Sequence, residues 1–323
     1  MDRPQFVDVL AAARTIRPYI TPTAFYESIS LGKMLGLRLF VKYENHQPVG
    51  SFKVRGALNR MLATTNEERI RGFVTASQGN HGQGVCYAAR IVGATATVVV
   101  PEKANPDKVE AMRNLGAEVV TAGKDFEAAV ARAWEIAAER KATYLHSADD
   151  PLIVAGHATV ALEMFEAEPA LDTIVFPIGA GGLISGAALV AKTLKPEVEV
   201  IGVQAEKTPG FVESLAAGHI VECAPNSTFA EGIAVRQPPQ LTFEMVRDLV
   251  DEVVTVSEED MRRAIILLLE KTHNLAEGAG AAGLAGVVKL HDQLSGRTVG
   301  TVLSGGNLPW HVLNRALNDI QSW

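Results

Sequence analysis

Short runs of β-branched residues alternate along the chain with longer amphipathic stretches. The amphipathic stretches 125–140 and 258–271 predict helices, and Ser257 with Asp260 predicts a capping box at the start of the second. Strands alternating with helices of this length predict an α/β fold, with mostly parallel sheets covered by helices on both faces. The β-branched runs predict strands at 37–43, 73–76, 95–100, 118–121, 173–177, 198–203 and 298–303.

The composition of the chain is ordinary for a globular protein. Its 323 residues are 47% hydrophobic and 21% charged, and this length allows two domains. The net charge of -7, with no Lys/Arg-rich block, argues against nucleic acid or an anionic membrane surface as a partner. We expect a cytoplasmic protein with reduced thiols, because no apolar run is long enough to span a membrane, no secretory signal is evident, and Cys86 and Cys223 lack redox or metal spacing.

The first candidate for chemistry is Lys53, which lies between glycines just after the strand 37–43 and a polar turn. Most lysines are solvated surface residues. A lysine held near an apolar core has a lowered pKa, so it can form a Schiff base or act as a base. Ser51 and Phe52 do not resemble a charged, exposed surface, and this segment alone leaves both interpretations open.

Two glycine-spaced loops follow predicted strands and lead into helical patterns. Backbone N–H groups at such a helix start suit a carboxylate or a phosphate, although Ser77 or Asn80 could equally serve only as a helix cap. The loop at 179–183 resembles a phosphate cradle, but it is neither a Walker loop nor a complete dinucleotide fingerprint. Ser304 follows the strand 298–303, where it either presents a hydroxyl to a cleft or forms a simple turn.

A reactive lysine, two anion-binding loops and a serine at a strand end together match the requirements of pyridoxal phosphate (PLP). At these residues the sequence resembles the threonine/serine dehydratase and serine racemase group of PLP enzymes, which have the tryptophan-synthase-β-like fold (fold type II). The matching segments keep the order and spacing of that family. They are 51–56, 77–84, 101–120, 155–163, 177–186, 231–235, 277–280 and 304–307.

The resemblance implies two open domains with mostly parallel sheets. A large PLP-binding domain would comprise residues 1–48 and 151–323, and a small domain on the substrate side would comprise residues 49–150. It also implies a homodimer or homotetramer. The chain ends soon after Asn307, so we expect a short, catabolic-type enzyme without a C-terminal regulatory domain.

The resemblance also assigns roles to residues. Lys53 would hold PLP as a Schiff base and later take the α-proton, Phe52 would pack against the ring, and Ser304 would meet the ring nitrogen. Asn80 would bind the 3-hydroxyl, and Ala148 would lie beside the substrate. The cofactor phosphate would be bound by Gly179, Ala180, Gly181, Gly182 and Leu183, and the substrate carboxylate by Ser77, Gln78, Gly79, Asn80 and His81.

The implied activity is that of a carbon-oxygen lyase. Such an ammonia-lyase converts a β-hydroxy amino acid, such as L-threonine or L-serine, to a 2-keto acid and ammonia. A serine racemase is the alternative, but racemases typically have a serine in place of Gln78, and glutamine has no proton to exchange. A β-replacement enzyme and a non-catalytic binding protein fit the motifs less well.

Other departures from the family concern the substrate and a cation. Ala148 replaces an aromatic residue or asparagine, which predicts either a bulkier substrate such as phenylserine or a gap filled by another side chain. His157 replaces a glutamine and either meets an acidic substrate such as 3-hydroxyaspartate or has a structural role. Gln204 stands where relatives have a carboxylate ligand, so the sequence does not support a divalent or monovalent cation, and we expect no metal.

Overall fold

Two sheets organise the chain in the computed structural model, which describes residues 2–319. The larger sheet has six strands in the order β1-β2-β10-β7-β8-β9, and all pairs are parallel except β1 with β2. Its strands are β1 (Phe25–Glu27), β2 (Arg38–Tyr43), β7 (Thr173–Pro177), β8 (Glu199–Ala205), β9 (Glu252–Val256) and β10 (Thr298–Leu303).

The smaller sheet is parallel throughout, in the order β5-β4-β3-β6. Its strands are β3 (Phe73–Ala76), β4 (Ala96–Val100), β5 (Glu118–Thr121) and β6 (Thr143–Tyr144). All four strands lie within residues 73–144. The division into domains at residues 48/49 and 150/151 stays a prediction.

Helices cover both faces of each sheet. The described residues form α1 (Phe6–Ile16), α2 (Ile29–Leu35), α3 (Lys53–Leu62), α4 (Asn66–Arg71), α5 (Asn80–Val92), α6 (Pro106–Asn114), α7 (Phe126–Arg140), α8 (Pro151–Ala167), α9 (Gly182–Leu194), α10 (Gly210–Ala217), α11 (Gln240–Leu249), α12 (Glu258–Thr272), α13 (Gly278–Lys289) and α14 (Trp310–Asp319), with 3-10 turns at Glu44–His46 and Glu231–Ile233. No helix among these residues is long and apolar enough to cross a membrane.

Alternating side chains of the larger sheet supply two separate cores. In β7, Ile174 and Phe176 pack in the core shared with α8 and α9, whereas Val175 packs in the core shared with α12 and α13. Full burial of each such side chain contributes about 1.5–3 kcal/mol. The smaller sheet is covered in the same way, by α3 and α5 on one face and by α7 on the other.

The predicted fold class is confirmed, and every predicted strand is present within two residues of its predicted bounds. The capping box of Ser257 and Asp260 also forms at the start of α12. Three strands of the structure were not predicted from the sequence. Strands β1 and β6 have only three and two residues, too few to show a period, whereas β9 carries a β-branched run that could have been recognised.

A buried ion network holds the start of α3 in place. Arg55 is 1% exposed and binds the Glu44 carboxylate through two nitrogens, at 2.7 and 2.8 Å. It also binds Glu163 at 2.6 and 2.8 Å, and Lys42 binds the same carboxylate at 2.5 Å. Burial alone would raise the pKa of Glu44, but the adjacent Arg55 guanidinium keeps it below its ordinary value. The network therefore ties α3 to β2 and α8, two residues from Lys53.

Candidate active site

Lys53 is the first residue of α3, and the segment before it is joined to the loop after β10. Ser51 forms an isolated β-bridge with Gly305, and the Phe52 N–H donates to the Ser304 carbonyl at 3.1 Å. Helix α5 packs closely on the same turn, since a Cβ added at Gly84 would lie 3.1 Å from the Lys53 carbonyl oxygen. Three of the predicted motifs thus meet at Lys53.

The amine of Lys53 lies in a desolvated, weakly charged environment. It donates to the Ser147 carbonyl at 3.3 Å and lies 5.0 Å from the centroid of the Phe52 ring. The side chain opens partly to the cleft, but burial by the surrounding protein lowers its pKa to about 8. Burial also lowers the pKa of His81 and of His157, with the Lys53 charge as the next cause, so both imidazoles are neutral. A substantial fraction of the amine is therefore neutral near pH 8.

Asn80 is held by two side chains from distant parts of the chain. Its Nδ2 donates to a Glu277 carboxylate oxygen, and its Oδ1 accepts from Asn307 Nδ2 at 2.8 Å. Burial raises the pKa of Glu277 to about 7, while the Asn80 hydrogen bond and the Lys108 charge oppose the shift. Glu277 is a site residue that was not predicted from the sequence. The only signal was its position in the family-like segment 277–280.

The first residue of the predicted carboxylate-binding loop, Ser77, caps the start of α5 with its side chain. The Ser77 hydroxyl accepts from the N–H groups of Gly79 and Gly82, at 3.2 and 3.0 Å. His81 is buried, with its Nε2 3.3 Å from the Leu145 carbonyl oxygen. A Cβ added at Gly79 would meet nothing within 4 Å, so this part of the loop borders open space. A ligand can therefore approach the backbone at Gly79.

Gln78 lines a cavity of about 520 Å³ between α6 and the segments near Glu231 and Glu277. Lys108 of α6 forms an ion pair with Glu231 across this cavity at 2.6 Å. Gln78 and Glu277 therefore line the same cavity, which is large enough for an amino acid.

The loop after β7 has the geometry of a phosphate cradle. Gly181 has a positive φ of 84° and directly precedes α9, whose first N–H groups lack partners within the helix. A Cβ added at Gly179 would lie 2.4 Å from the Gly232 oxygen, and one at Gly181 would lie 2.7 Å from Phe211 Cζ. Both positions require glycine for close packing, and the loop is partly exposed at Gly179 and Ala180.

Ala148 lies against this loop and is fully buried. A Cβ added at Gly182 would lie 3.2 Å from both Ala148 Cβ and His157 Nδ1. His157 is also fully buried and meets the Phe52 ring edge-on, with centroids 4.7 Å apart. The predicted ring-packing and phosphate-binding residues are thereby connected through His157.

Ser304 completes the site at the end of β10. It is 4% exposed, and its hydroxyl donates to the Ala279 carbonyl at 3.3 Å. The structure thus brings the predicted site residues to the carboxyl ends of strands from both sheets, where ligands of parallel sheets bind. Their individual roles stay predictions.

These features define an enzyme that binds a phosphate-bearing aldehyde at a lysine. The amine of Lys53 and the glycine-rich loop at 179–182 fit PLP in attachment and phosphate binding. Residues 16–305 match the family of pyridoxal-phosphate dependent enzymes. The chain belongs to this family, and PLP is its cofactor.

Relatives and solved structures agree with this assignment. The chain is 43% identical to the L-threonine ammonia-lyase of Thermotoga maritima over 96% of this chain and 77% of that protein. It is 44% identical to the L-threonine ammonia-lyase of Geobacter sulfurreducens over 91% and 73%. Threonine deaminase isoform 2 from Solanum lycopersicum matches with a TM-score of 0.93 and 31% identity, over 97% of this chain and 91% of that one. Maize serine racemase matches with a TM-score of 0.93 and 32% identity, over 98% of each chain.

Gln204 caps a helix in this structure. Its Oε1 accepts from the N–H groups of Phe211 and Val212, at 2.9 and 3.0 Å, near the start of α10. Within residues 2–319, no group of three or more His, Cys, Asp or Glu side chains is arranged to hold a metal ion.

Proposed function

We propose that this protein is an L-threonine ammonia-lyase that converts L-threonine, and also L-serine, to a 2-keto acid and ammonia. The observation that carries the proposal is the desolvated Lys53 amine at the junction of the predicted cofactor and substrate loops. Two relatives at 43% and 44% identity, each matched over more than nine-tenths of this chain, have this activity as their name.

When bound, PLP withdraws electrons from the substrate α-carbon and so makes its proton removable. The backbone N–H groups of residues 179–183 would hold the phosphate, and Phe52 would pack against the ring. The Ser304 hydroxyl, which donates to the Ala279 carbonyl here, would meet the ring nitrogen when PLP is bound. Because a hydroxyl would not hold a proton on that nitrogen as a carboxylate would, the site suits elimination of a β-leaving group.

Lys53 Nζ takes the α-proton as a neutral amine. Its lowered pKa keeps a large neutral fraction near pH 8, and the Ser147 carbonyl orients it. Asn80 uses one amide hydrogen for Glu277 and retains a second for the cofactor 3-hydroxyl. The loop at residues 77–81 binds the substrate carboxylate beside the open space at Gly79.

Racemisation is the second candidate, because maize serine racemase shares the fold at a TM-score of 0.93. Exchange at the α-carbon from both faces needs a second acid or base opposite Lys53. Gln78 cannot supply an exchangeable proton of suitable acidity. We therefore rank dehydration above racemisation.

The packing around Ala148 favours small substrates. The imidazole of His157 borders the same space beside Gly182, so the room left by Ala148 is filled from within the protein. This arrangement gives no support to phenylserine or 3-hydroxyaspartate over threonine.

The test is keto-acid formation by the holoenzyme from L-threonine, L- and D-serine, L-threo-phenylserine and 3-hydroxyaspartate. We expect fast turnover of L-threonine and L-serine, and loss of turnover in Lys53→Ala but not in the exposed Lys124→Ala. Equal inactivity towards all five substrates, with interconversion of L- and D-serine by chiral chromatography, would replace the proposal with a racemase.

We also propose a cytoplasmic homodimer or homotetramer. Support comes from large apolar side chains exposed near the N-terminus, including Val7, Tyr26, Ile29 and Met34, and from the unpaired, buried Cys86 and Cys223. Light scattering coupled to size-exclusion chromatography tests the assembly. A mass near 34.5 kDa at micromolar concentration would contradict it.

A further inference from the structure

An ion pair crosses the cavity that Gln78 and Glu277 line. Lys108 Nζ lies 2.6 Å from a carboxylate oxygen of Glu231, and the two residues are 123 positions apart in the chain. The Lys108 side chain is 11% exposed, whereas the Glu231 side chain is 51% exposed. The lysine is therefore the inner member of the pair, and the glutamate is the member that solvent reaches.

Each member of the pair lies beside a loop of the predicted site. Lys108 precedes Met112 by one turn of α6, so the two side chains share a face of that helix. This face packs on the start of α5, since a Cβ added at Gly82 would lie 2.6 Å from Met112 Sδ. On the other side, the carbonyl oxygen of the residue after Glu231 would lie 2.4 Å from a Cβ added at Gly179. The pair therefore lies between the predicted carboxylate-binding loop and the predicted phosphate loop.

The charges of the pair act within the cavity. Burial and the Asn80 hydrogen bond have the larger effects on the pKa of Glu277, but the Lys108 charge also lowers this pKa and the Glu231 charge raises it. The other charged or titratable residues of the lining are exposed, and they are Lys103, Asp107 and His311. Among the described residues of the lining, Lys108 is thus the inner cation, and Glu231 neutralises it.

We propose that the Lys108–Glu231 ion pair determines substrate specificity by excluding amino acids with an acidic side chain. This inference rests on the proposed function, because it takes the cavity to be the substrate site. A side-chain carboxylate finds Lys108 already paired and meets the negative charge of Glu231, and such like-charge contacts reject the wrong ligand. The neutral side chains of threonine and serine lose nothing by this arrangement.

The test compares L-aspartate with L-asparagine, which have nearly the same shape and differ in charge. Neither carries a β-hydroxyl group, so their dissociation constants from the holoenzyme can be measured by the change in cofactor absorbance. The readout is the aspartate dissociation constant divided by the asparagine dissociation constant. In Glu231→Gln, Lys108 is free to bind the side-chain carboxylate, and this ratio should fall about tenfold. In Lys108→Gln, the unpaired Glu231 repels that carboxylate, and the ratio should rise about threefold or more.

Two further variants control for other effects. The double variant Lys108→Gln/Glu231→Gln removes both charges and should return the ratio to within about threefold of the wild-type value. The variant Asp107→Asn removes an exposed charge of the same cavity but keeps the pair, so it should change the ratio by less than about twofold. An unchanged ratio in both single variants, or equal weakening of both ligands, would overturn the inference.

The design also separates this inference from the proposed function. The two single variants should shift the ratio in opposite directions, so either one tests the inference if the other fails to fold. The measurement does not depend on turnover. A protein that shows both shifts but leaves threonine intact would therefore refute only the proposed function.

Discussion

The buried carboxyl of Glu277 makes the stability of the apoenzyme depend on pH in a predictable direction. Glu277 is 8% exposed, and burial raises its pKa from 4.5 to about 7 despite the Asn80 hydrogen bond. The substitution Glu277→Gln removes the titrating group and keeps an acceptor for Asn80. The variant should therefore lack the part of the pH dependence that belongs to Glu277.

The sign follows from the two pKa values. Below pH 4.5 the carboxyl is protonated in both the folded and unfolded states and contributes no pH dependence. Between pH 4.5 and about 7 it ionises only in the unfolded state, so stability falls as the pH rises. At about 1.4 kcal/mol per pH unit, the loss approaches about 3 kcal/mol above pH 7.

Urea unfolding of both apoproteins at pH 5, 6, 7 and 8 measures this loss. The free energy of unfolding of Glu277→Gln, minus that of the wild type, should increase by about 2–3 kcal/mol over this range. Any constant cost of the new amide cancels in the trend, and the exposed Glu197→Gln serves as the matched control. A difference that stays flat or decreases would refute the reasoning, because it would mean that Asn80 and Lys108 keep the folded carboxylate ionised.

Three further predictions concern the lysine, the ion network and a close backbone contact. The rate of Schiff-base formation between apoenzyme and PLP should rise about tenfold from pH 6 to pH 7 and level off above the Lys53 pKa of about 8, because only the neutral amine attacks the aldehyde. Stopped-flow absorbance measures this rate. A rate that does not change with pH would contradict the prediction. Arg55→Met leaves the buried carboxylates without their cation and should lower the free energy of unfolding by about 3–5 kcal/mol, as measured by urea titration. The matched control Arg60→Met breaks a partly exposed ion pair and should cost about 1 kcal/mol or less. Equal losses in the two variants would contradict a larger contribution from the buried ion network. Gly280→Ala places a Cβ 2.0 Å from a carbonyl oxygen of the loop after β10, so it should lower the free energy of unfolding by about 1–3 kcal/mol and weaken PLP binding. An unchanged melting temperature and an unchanged PLP titration would show that the loop moves to make room for the methyl group.

Local patterns predicted much of this fold because each strand and loop is encoded by adjacent residues. The run 173–177 followed by Gly179, Gly181 and Gly182 specifies a strand, a turn and a helix start within a dozen positions, and all three are present. The placement of Lys53 at a strand-to-helix turn was predictable for the same reason.

Contacts between distant segments were not predictable from such patterns. The Asn80–Glu277 and Asn80–Asn307 hydrogen bonds join residues about 200 positions apart, and no period in the sequence reports on them. Similarly, the departures at Ala148 and His157 were visible one at a time. Only the structure shows that both residues border the same space beside Gly182.

The pairing of β2 with β10 has a consequence for how the protein is made. These strands, Arg38–Tyr43 and Thr298–Leu303, are hydrogen-bonded neighbours in the larger sheet, yet about 250 residues separate them along the chain. At a synthesis rate of about 5–20 residues per second, the interval between synthesis of β2 and synthesis of β10 is on the order of 10 to 50 s. The smaller sheet, whose strands are all complete by Tyr144, can form during that interval. Until β10 emerges, the apolar edge of β2 is open to pairing with other nascent chains, so the yield of folded protein should depend on chaperones more than its final stability suggests.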